Sequence, residues 1–325
     1  MQTRLTEQFG IRHPILCAPM ALVTGGRLAA AVSQAGGLGI VGGGYAGILG
    51  GEPDLEQELA HLQGQPFGIG FNTWALERAP HRLDEMLQHG PLCVFLSFGD
   101  PRLFAPQIHR SGAKLVCQVQ TLAHVEQALQ AGATAIVAQG AEAGGHGAQR
   151  GLFAFVPEVA DLLARRSPGT LLLAAGGIAD GRGLAAALML GADGVVVGTR
   201  FWASAEALTS LAMTDRAQAA TGDDTVRTRA LDYLRGVPWP QEFSYRMLQN
   251  QFTQQWAERE HEAQAAFGSL SAAYTQARAA QDLSVVATVV GECVGLIHDR
   301  PAAGDIVQAM VVQARGLLER GVGRC

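Results

Sequence analysis

The chain has little charge and no concentration of either sign. Charged residues make up 16% of its 325 residues, the formal net charge is −5, and the sequence has no block of Lys or Arg. Proteins that bind nucleic acid or anionic membranes mainly by charge carry a basic patch or run. The composition therefore argues against nucleic acid and anionic membranes as the main partners.

Long apolar runs and paired cysteines are also missing. No run approaches the roughly 18 residues that a membrane span needs, and the polar stretch Met1–His13 has no signal-peptide core. The cysteines form no C-x-x-C pair, and an odd number cannot all pair within one chain. We expect a reduced cytoplasmic protein without structural zinc. The five cysteines are Cys17, Cys93, Cys117, Cys293 and Cys325.

Two kinds of motif are absent as well. The sequence has no H-x-H, HExxH or acidic cluster, so no tightly bound metal is predicted. A doubly wound dinucleotide fold would place G-x-G-x-x-G after its first strand. The first predicted strand is followed by Ala18-Pro19-Met20-Ala21 instead, which disfavours that fold.

The chain does contain a recurring sequence pattern, in which the end of a helix is followed by a glycine and then by an apolar strand. It occurs at Ala30–Gly44, Gln127–Gly140 and Ala186–Thr199, and it is typical of the αβ half of a βα repeat. Eight apolar runs within about 205 residues predict a parallel (β/α)8 barrel, the TIM-barrel fold. The predicted strands are Ile15–Ala18, Leu38–Val41, Phe67–Phe71, Leu92–Ser97, Lys114–Val119, Ala133–Ala138, Leu171–Ala175 and Gly194–Val197.

The amino-acid composition of the sequence changes after the eighth predicted strand. From Ala205 to Arg278 it is rich in Ala, Gln, Glu and Arg without a strand pattern, and Gln249–Phe267 has helical spacing of apolar residues. We expect a small helical cap at 208–284, inserted before a last barrel helix that runs from an N-cap at Asp305 to Arg320. Segments 1–207 and 285–325 would then form the barrel.

Glycine turns follow the sixth, seventh and eighth predicted strands and should converge on the catalytic face of the barrel. Gly176-Gly177 and Gly198-Thr199 suit a phosphate held by main-chain amides and helix ends, since neither turn contains a Lys. The alternative is that these glycines only close tight turns. Met20, Asn72 and Gln139 would enter the same mouth and contact a flat cofactor ring or its polar edges, although core or turn roles are also open for Met20 and Asn72.

A single histidine stands in the glycine turn after strand six, within Gly144-Gly145-His146-Gly147. The flanking glycines should leave His146 accessible, and an imidazole that titrates near neutrality can deprotonate or orient a substrate. The alternative is a solvated loop histidine without function. Nearby, Glu142 is expected to support the loop.

These residues resemble the nitronate monooxygenase family, once called 2-nitropropane dioxygenases, over nearly the whole chain. The glycine-histidine loop is the most specific match. The matching segments are Ala18-Pro19-Met20, Gly70-Phe71-Asn72, Gln139-Gly140-x-Glu142-Ala143-Gly144-Gly145-His146, Ala175-Gly176-Gly177-Ile178, Gly198-Thr199-Arg200-Phe201, Arg246-x-Leu248-x-Asn250-x-Phe252 and Gly295-Leu296-Ile297.

The resemblance implies an FMN-dependent barrel with a cap that oxidises alkyl nitronates with O2, and His146 would be its active-site histidine. It also implies the residues that contact FMN. These are Met20, Asn72, Gln139, Gly144, Gly176, Gly177, Gly198 and Thr199.

Three other functions stay open at this stage: an NAD(P)H:quinone reductase, a flavin-dependent enoyl-thioester reductase, and a non-enzymatic flavin carrier or sensor. The chain departs from the family pattern at the longer step Gly147–Gly151 and at Glu292-Cys293, which leaves the substrate undetermined. Oligomeric state is not determined by the sequence.

Overall fold

Eight parallel strands form the centre of the molecule, as seen in a computed structural model that describes residues 1–47 and 53–322. Their residues are apolar on both faces because parallel barrel strands contact both the interior and the surrounding helices. Strands are numbered in chain order, and the short strand β7 (Gly145–Gly147) lies outside the barrel. The barrel strands are β1 (Ile15–Cys17), β2 (Gly39–Gly44), β3 (Phe67–Asn72), β4 (Cys93–Ser97), β5 (Lys114–Val119), β6 (Ala135–Gln139), β8 (Leu171–Ala175) and β9 (Gly194–Val197).

The sheet closes on itself into a barrel. Its strand order is β1-β9-β8-β6-β5-β4-β3-β2, and β1 meets β2 through a parallel bridge between Leu16 and Leu38. There Cys17 N donates to Leu38 O at 2.9 Å and Leu38 N donates to Ile15 O at 3.0 Å. The predicted TIM barrel is confirmed, and three predicted strands match the observed bounds to the residue.

Helices surround the barrel and link its strands. Several start at a side-chain cap of the expected type; for example, Thr121 accepts the His124 N–H and Asp180 accepts the Arg182 N–H. The helices are α1 (Arg4–Phe9), α2 (Gly26–Gln34), α3 (Leu55–Ala60), α4 (Thr73–Leu76), α5 (His81–Leu87), α6 (Ala105–Ser111), α7 (Leu122–Gln130), α8 (Leu152–Arg166), α9 (Gly181–Met189), α10 (Thr199–Trp202), α11 (Leu211–Gln218), α12 (Ala230–Arg235), α13 (Gln251–Trp256), α14 (Glu260–Ala265), α15 (Phe267–Ala279) and α16 (Ala303–Val322).

The core has two layers because successive residues of a strand point to opposite faces. On β4, Cys93 and Phe95 belong to the inner cluster, while Val94 and Leu96 pack against the helices. Leu5 of α1 joins the inner cluster and so fills the end of the barrel at which the strands begin. The opposite end is left for the loops that follow the strands.

The inserted segment contains strands, which the sequence interpretation missed. β10 (Thr225–Thr228) and β11 (Ser244–Leu248) pair antiparallel, and β11 also pairs with β7. The expectation of an insertion without strands was wrong. Both strands are short and carry an arginine at their centre, so their pattern does not resemble that of a buried barrel strand.

Two helix expectations also need correction. The predicted helix Gln249–Phe267 is divided, since α13 ends at Trp256 and α14 begins at Glu260. The last barrel helix α16 begins at Ala303, so Asp305 lies in its first turn and is not its N-cap. A carboxylate in a first turn still interacts favourably with the helix dipole.

The described cysteines are buried free thiols, namely Cys17, Cys93, Cys117 and Cys293, while Cys325 lies outside the described residues. Burial raises the pKa of Cys17 and of Cys93 to about 12, as expected for inert core positions. In the part of the chain that the structure describes, no helix has both the length and the apolarity to cross a membrane.

Candidate active site

One cavity of about 210 Å³ opens among the loops that follow the barrel strands. This is the end of a TIM barrel at which active sites lie. All nine site residues predicted from the sequence line its wall, although they are up to 179 positions apart in the chain. They are Met20, Asn72, Gln139, Gly144, His146, Gly176, Gly177, Gly198 and Thr199.

Four main-chain amides on this wall form a cradle with no internal partner. Across residues 1–47 and 53–322, no acceptor is found for the N–H groups of Gly176, Gly177, Gly198 and Thr199. Thr199 is buried, Gly176 and Gly198 are half-buried and Gly177 is exposed, so these amides are open to a ligand, and phosphate oxygens accept several such bonds at once. The cradle therefore fits the phosphate group of a cofactor.

The backbone of the cradle requires glycine at Gly176 and Gly177. Their φ angles are +109° and +69°, in the region that L-residues with a side chain rarely adopt. A Cβ on Gly198 would meet only Met20 and Ala18, at 3.7 Å and 3.8 Å. The Thr199 hydroxyl accepts the Gly291 N–H at 2.9 Å and also bonds the Cys293 thiol, which ties this turn to the segment before α16.

Gly144 has a different role from the cradle glycines. A Cβ there would lie 2.5 Å from the Val290 carbonyl carbon and 2.6 Å from the Gly291 nitrogen. The glycine-histidine loop therefore packs backbone to backbone against the segment before α16. Glycine at this position brings that segment, with Cys293, to the cavity wall.

His146 is buried, contrary to the accessibility expected from its flanking glycines. It is 6% exposed, and its ring lies parallel to the indole of Trp239, with ring centroids 3.3 Å apart and an interplanar angle of 11°. Tyr245 contacts it from the facing strand, with centroids 4.5 Å apart. The imidazole is thus held at the cavity wall and shielded from bulk water.

A buried carboxylate bonds one nitrogen of this imidazole. His146 Nε2 lies 3.0 Å from Asp232 Oδ1 and 2.9 Å from Oδ2, and both side chains are 4% exposed. Because a carboxylate only accepts hydrogen bonds, Nε2 carries the hydrogen. No described residue bonds Nδ1, and His146 faces the cavity.

Burial lowers the pKa of His146 below its ordinary value of 6.5. Asp232 opposes this shift, since its negative charge and hydrogen bond favour the imidazolium, while Arg235 and Arg227 add to it. The result is a neutral imidazole at pH 7. Such a group, protonated on Nε2, has a free lone pair on Nδ1 and can act as a base.

The loop that carries His146 is fastened from both sides. Gln139 Nε2 donates to His146 O at 3.1 Å, and the Glu142 carboxylate accepts the Leu152 N–H at the start of α8. From the inserted segment, the Arg227 guanidinium donates to three loop carbonyls, those of Ala141, Ala143 and Gly147. The supporting role expected for Glu142 agrees with this contact.

Sequence reasoning missed the partners of His146. Asp232, Trp239 and Tyr245 all belong to the inserted segment, and Asp232 is 86 positions from His146. No motif marks Asp232 or Trp239. The one available signal is that Tyr245 adjoins the family-like Arg246 match, and Tyr245 pairs with His146 across β11 and β7.

The cavity wall is aromatic and nearly uncharged. Apart from His146, no residue on it has an ionisable acidic or basic side chain, except for thiol and phenol groups. No cluster of three or more His, Cys, Asp or Glu that could hold a metal ion occurs in residues 1–47 and 53–322. The aromatic residues on the wall are Tyr45, Phe71, Phe98, Trp202, Trp239 and Tyr245.

Known proteins share this sequence and fold. The family model described as nitronate monooxygenase matches residues 2–81 and 71–313. A nitronate monooxygenase of the fungus Metarhizium robertsii is 38% identical over 94% of this chain and 91% of its own.

Two solved structures resemble the whole barrel and its insertion. FabK from Thermotoga maritima superposes with a TM-score of 0.84 at 30% identity, over 100% of both chains. A nitroalkane oxidase from Streptomyces ansochromogenes gives a TM-score of 0.77 at 26% identity, over 96% of this chain and 99% of the other. With the family match over most of its length, this chain belongs to the nitronate monooxygenase family of oxidoreductases.

Proposed function

We propose that this protein oxidises alkyl nitronates and their parent nitroalkanes with bound FMN and O2. The observation that carries the proposal is the neutral, buried imidazole of His146, with Asp232 on Nε2 and a free Nδ1 beside an apolar cavity. A base of this kind can take the acidic proton on the carbon next to a nitro group.

The amide cradle supports FMN as the cofactor. Its four free N–H groups would hold the phosphate, and the other four predicted cofactor-binding residues on the cavity wall, Met20, Asn72, Gln139 and Gly144, would surround the rest of the molecule. When bound, FMN supplies the redox chemistry by taking electrons from the substrate and passing them to O2. Segments 1–207 and 285–325 would form the FMN-binding barrel and 208–284 the cap.

The side chains around the cavity would bind and shield the substrate. The rings of Trp239, Tyr245 and Phe98 suit its alkyl part, since Phe98 packs edge-on to Trp239 with centroids 5.0 Å apart. Their contacts exclude water from the imidazole, which keeps it neutral and its Nδ1 available. The polar amide of Asn72, which no described residue bonds, would face the polar edge of the bound ring system.

A second candidate is NAD(P)H:quinone reduction at the same site. The aromatic wall favours it because a flat quinone ring can stack there as well as an alkyl nitronate can. Reduction of an enoyl thioester has less support, since the wall has no Lys or Arg for the phosphates of such a carrier.

Anaerobic stopped-flow mixing tests these functions on the flavin-loaded protein. Loss of flavin colour with a nitronate or nitroalkane, but not with NADPH, is the expected result. Rapid loss of colour with NADPH, followed by reoxidation with quinone, would replace the proposal by the second candidate. Reduction by none of these donors would indicate a flavin carrier. Protein that stayed colourless during titration with FMN would refute the cofactor assignment.

A further inference from the structure

Asp232 lies outside the cavity wall but touches the residue that faces it. It is in the first turn of α12, within the inserted segment, and is 3% exposed. Its two carboxylate oxygens lie at nearly equal distances from His146 Nε2, 3.0 Å and 2.9 Å. The insertion thus supplies a buried acceptor to an imidazole carried by the barrel.

A carboxylate in such a place is expensive unless it is compensated. The His146 N–H donates to it, and Arg235, one turn further along α12, attracts it electrostatically. Arg235 in turn contacts the face of the Tyr45 ring, with its guanidinium carbon 5.6 Å from the centroid. The charged groups that act on the imidazole are Asp232 and Arg235 of α12 and Arg227 of β10, and the phenol ring of Tyr245 on β11 contacts it.

The orientation of the imidazole is fixed in two independent ways. Asp232 determines which nitrogen points away from the cavity, and the parallel indole of Trp239 determines the ring plane. Exchange of the two nitrogens by a ring flip would break the contact to Asp232 and leave a buried carboxylate without its donor. Such a loss costs far more than the hydrogen bond contributes.

We propose that Asp232 is a positioning residue that keeps the imidazole hydrogen on Nε2, so that Nδ1 is the atom that receives the substrate proton. In that step the substrate C–H bond breaks, an N–H bond forms on Nδ1, and the electron pair remains on the substrate as its nitronate. The imidazolium that forms is stabilised by the carboxylate on its other side. This inference rests on the proposed function, because it names the device that makes His146 a base.

Asp232→Asn tests the proposal, because the amide can donate to Nε2 and thereby favour the tautomer with hydrogen on Nδ1. We expect kcat/KM for a neutral nitroalkane to fall at least about 100-fold, since a wrong tautomer of a catalytic histidine is severely inhibiting. The preformed nitronate needs no proton removal, so its rate should change less than about fivefold. Asp223→Asn, an exposed carboxylate in the same segment, is the matched control and should leave both rates unchanged.

A ratio of the two rates distinguishes positioning from a structural role. Equal losses with nitroalkane and nitronate, or no loss with either, would overturn the inference. Thermal unfolding and the absorbance of the bound flavin establish that the variant is folded and loaded.

Nitrogen-15 NMR of labelled histidine gives a readout independent of turnover. In the flavin-loaded wild type, His146 should show a protonated Nε2 and an unprotonated Nδ1, and in Asp232→Asn the pattern should reverse. If the wild type oxidised neither substrate, the proposed function would fail while this tautomer measurement still decided the role of Asp232. A wild-type imidazole protonated on Nδ1 would refute the inference even in an active enzyme.

Discussion

At the scale of the residue, His146 gains its chemistry from neighbours that are remote in the sequence. Its glycine neighbours alone predict an exposed, ordinary imidazole. In the folded chain the carboxylate of Asp232, the indole of Trp239 and the phenol of Tyr245 enclose it. Burial then lowers its pKa and makes it a neutral base.

Replacing His146 tests its place in the reaction directly. His146→Ala should retain the yellow cofactor, because the amide cradle is untouched, yet lose about 100- to 10,000-fold in kcat/KM for nitroalkanes. Steady-state oxygen consumption measures the loss. His81→Ala, at an exposed position in α5, should behave as wild type, and unchanged turnover in His146→Ala would remove the histidine from the mechanism.

The lowered pKa of His146 predicts a pH profile with an acid limb. Nitroalkane turnover requires the neutral imidazole, so kcat/KM should rise with pH through a midpoint below 6.5 and then level off. A midpoint above 6.5 would contradict the burial effect.

The same group should also affect folding. Because the unfolded imidazole binds protons at higher pH than the folded one does, this contribution to stability is present above about pH 6.5 and is lost as pH falls below it. Urea unfolding measured between about pH 5 and about pH 8 should show a free energy of unfolding that increases with pH.

At the scale of the element, strand and turn together create the cofactor site. Parallel strands β8 and β9 are adjacent, so the turns at Gly176-Gly177 and Gly198-Thr199 meet at one edge of the barrel. Both turns follow continuous apolar runs that can be recognised in the sequence. Strands β10 and β11 were not predicted from the sequence because they are short and half-exposed, and each contains an arginine that bonds a loop carbonyl.

Gly177→Asp should strongly weaken FMN binding while the barrel still folds. The new aspartate would have a strained backbone conformation at φ +69°, and its carboxylate would place negative charge beside the cradle. Fluorescence titration with FMN measures the affinity, which should fall at least about 100-fold, because like charges a short distance apart at a protein surface repel each other. Gly112→Asp has similar strain at φ +82° in open space and should bind FMN normally. Normal binding by Gly177→Asp would move the phosphate elsewhere.

At the scale of the whole molecule, the inserted segment completes the site rather than merely covering it. Arg227 on β10 donates to the carbonyls of Ala141, Ala143 and Gly147, and to Ser244 O within the insertion. Burial, together with nearby Arg246, lowers the pKa of Arg227 to about 10, so it remains charged at neutral pH. One cation thus joins the insertion to the loop that carries His146.

Replacing Arg227 should weaken the attachment of the inserted segment to the loop that carries His146, and so lower both stability and activity. Arg227→Met removes a guanidinium that bonds four carbonyls, of which Ala141 O keeps a donor in Arg246 Nε, and we expect the free energy of unfolding to fall by about 2–4 kcal/mol. Nitroalkane turnover should fall as well, because the loop with His146 loses its anchor. Arg278→Met, an exposed arginine in α15, should change stability by less than about 0.5 kcal/mol. A similarly small effect of Arg227→Met would show that the insertion and the loop are held by other contacts.

The sequence by itself determined the barrel and nine of the residues that line its cavity. Buried parallel strands require continuous apolar runs, and tight turns at their ends require glycine, so both are visible along the chain at Leu171–Gly177 and Gly194–Thr199. Tertiary structure alone decided the chemistry of His146. Its carboxylate partner comes from a segment 86 positions away, and long-range pairing and burial, which set its tautomer and its pKa, leave no local pattern.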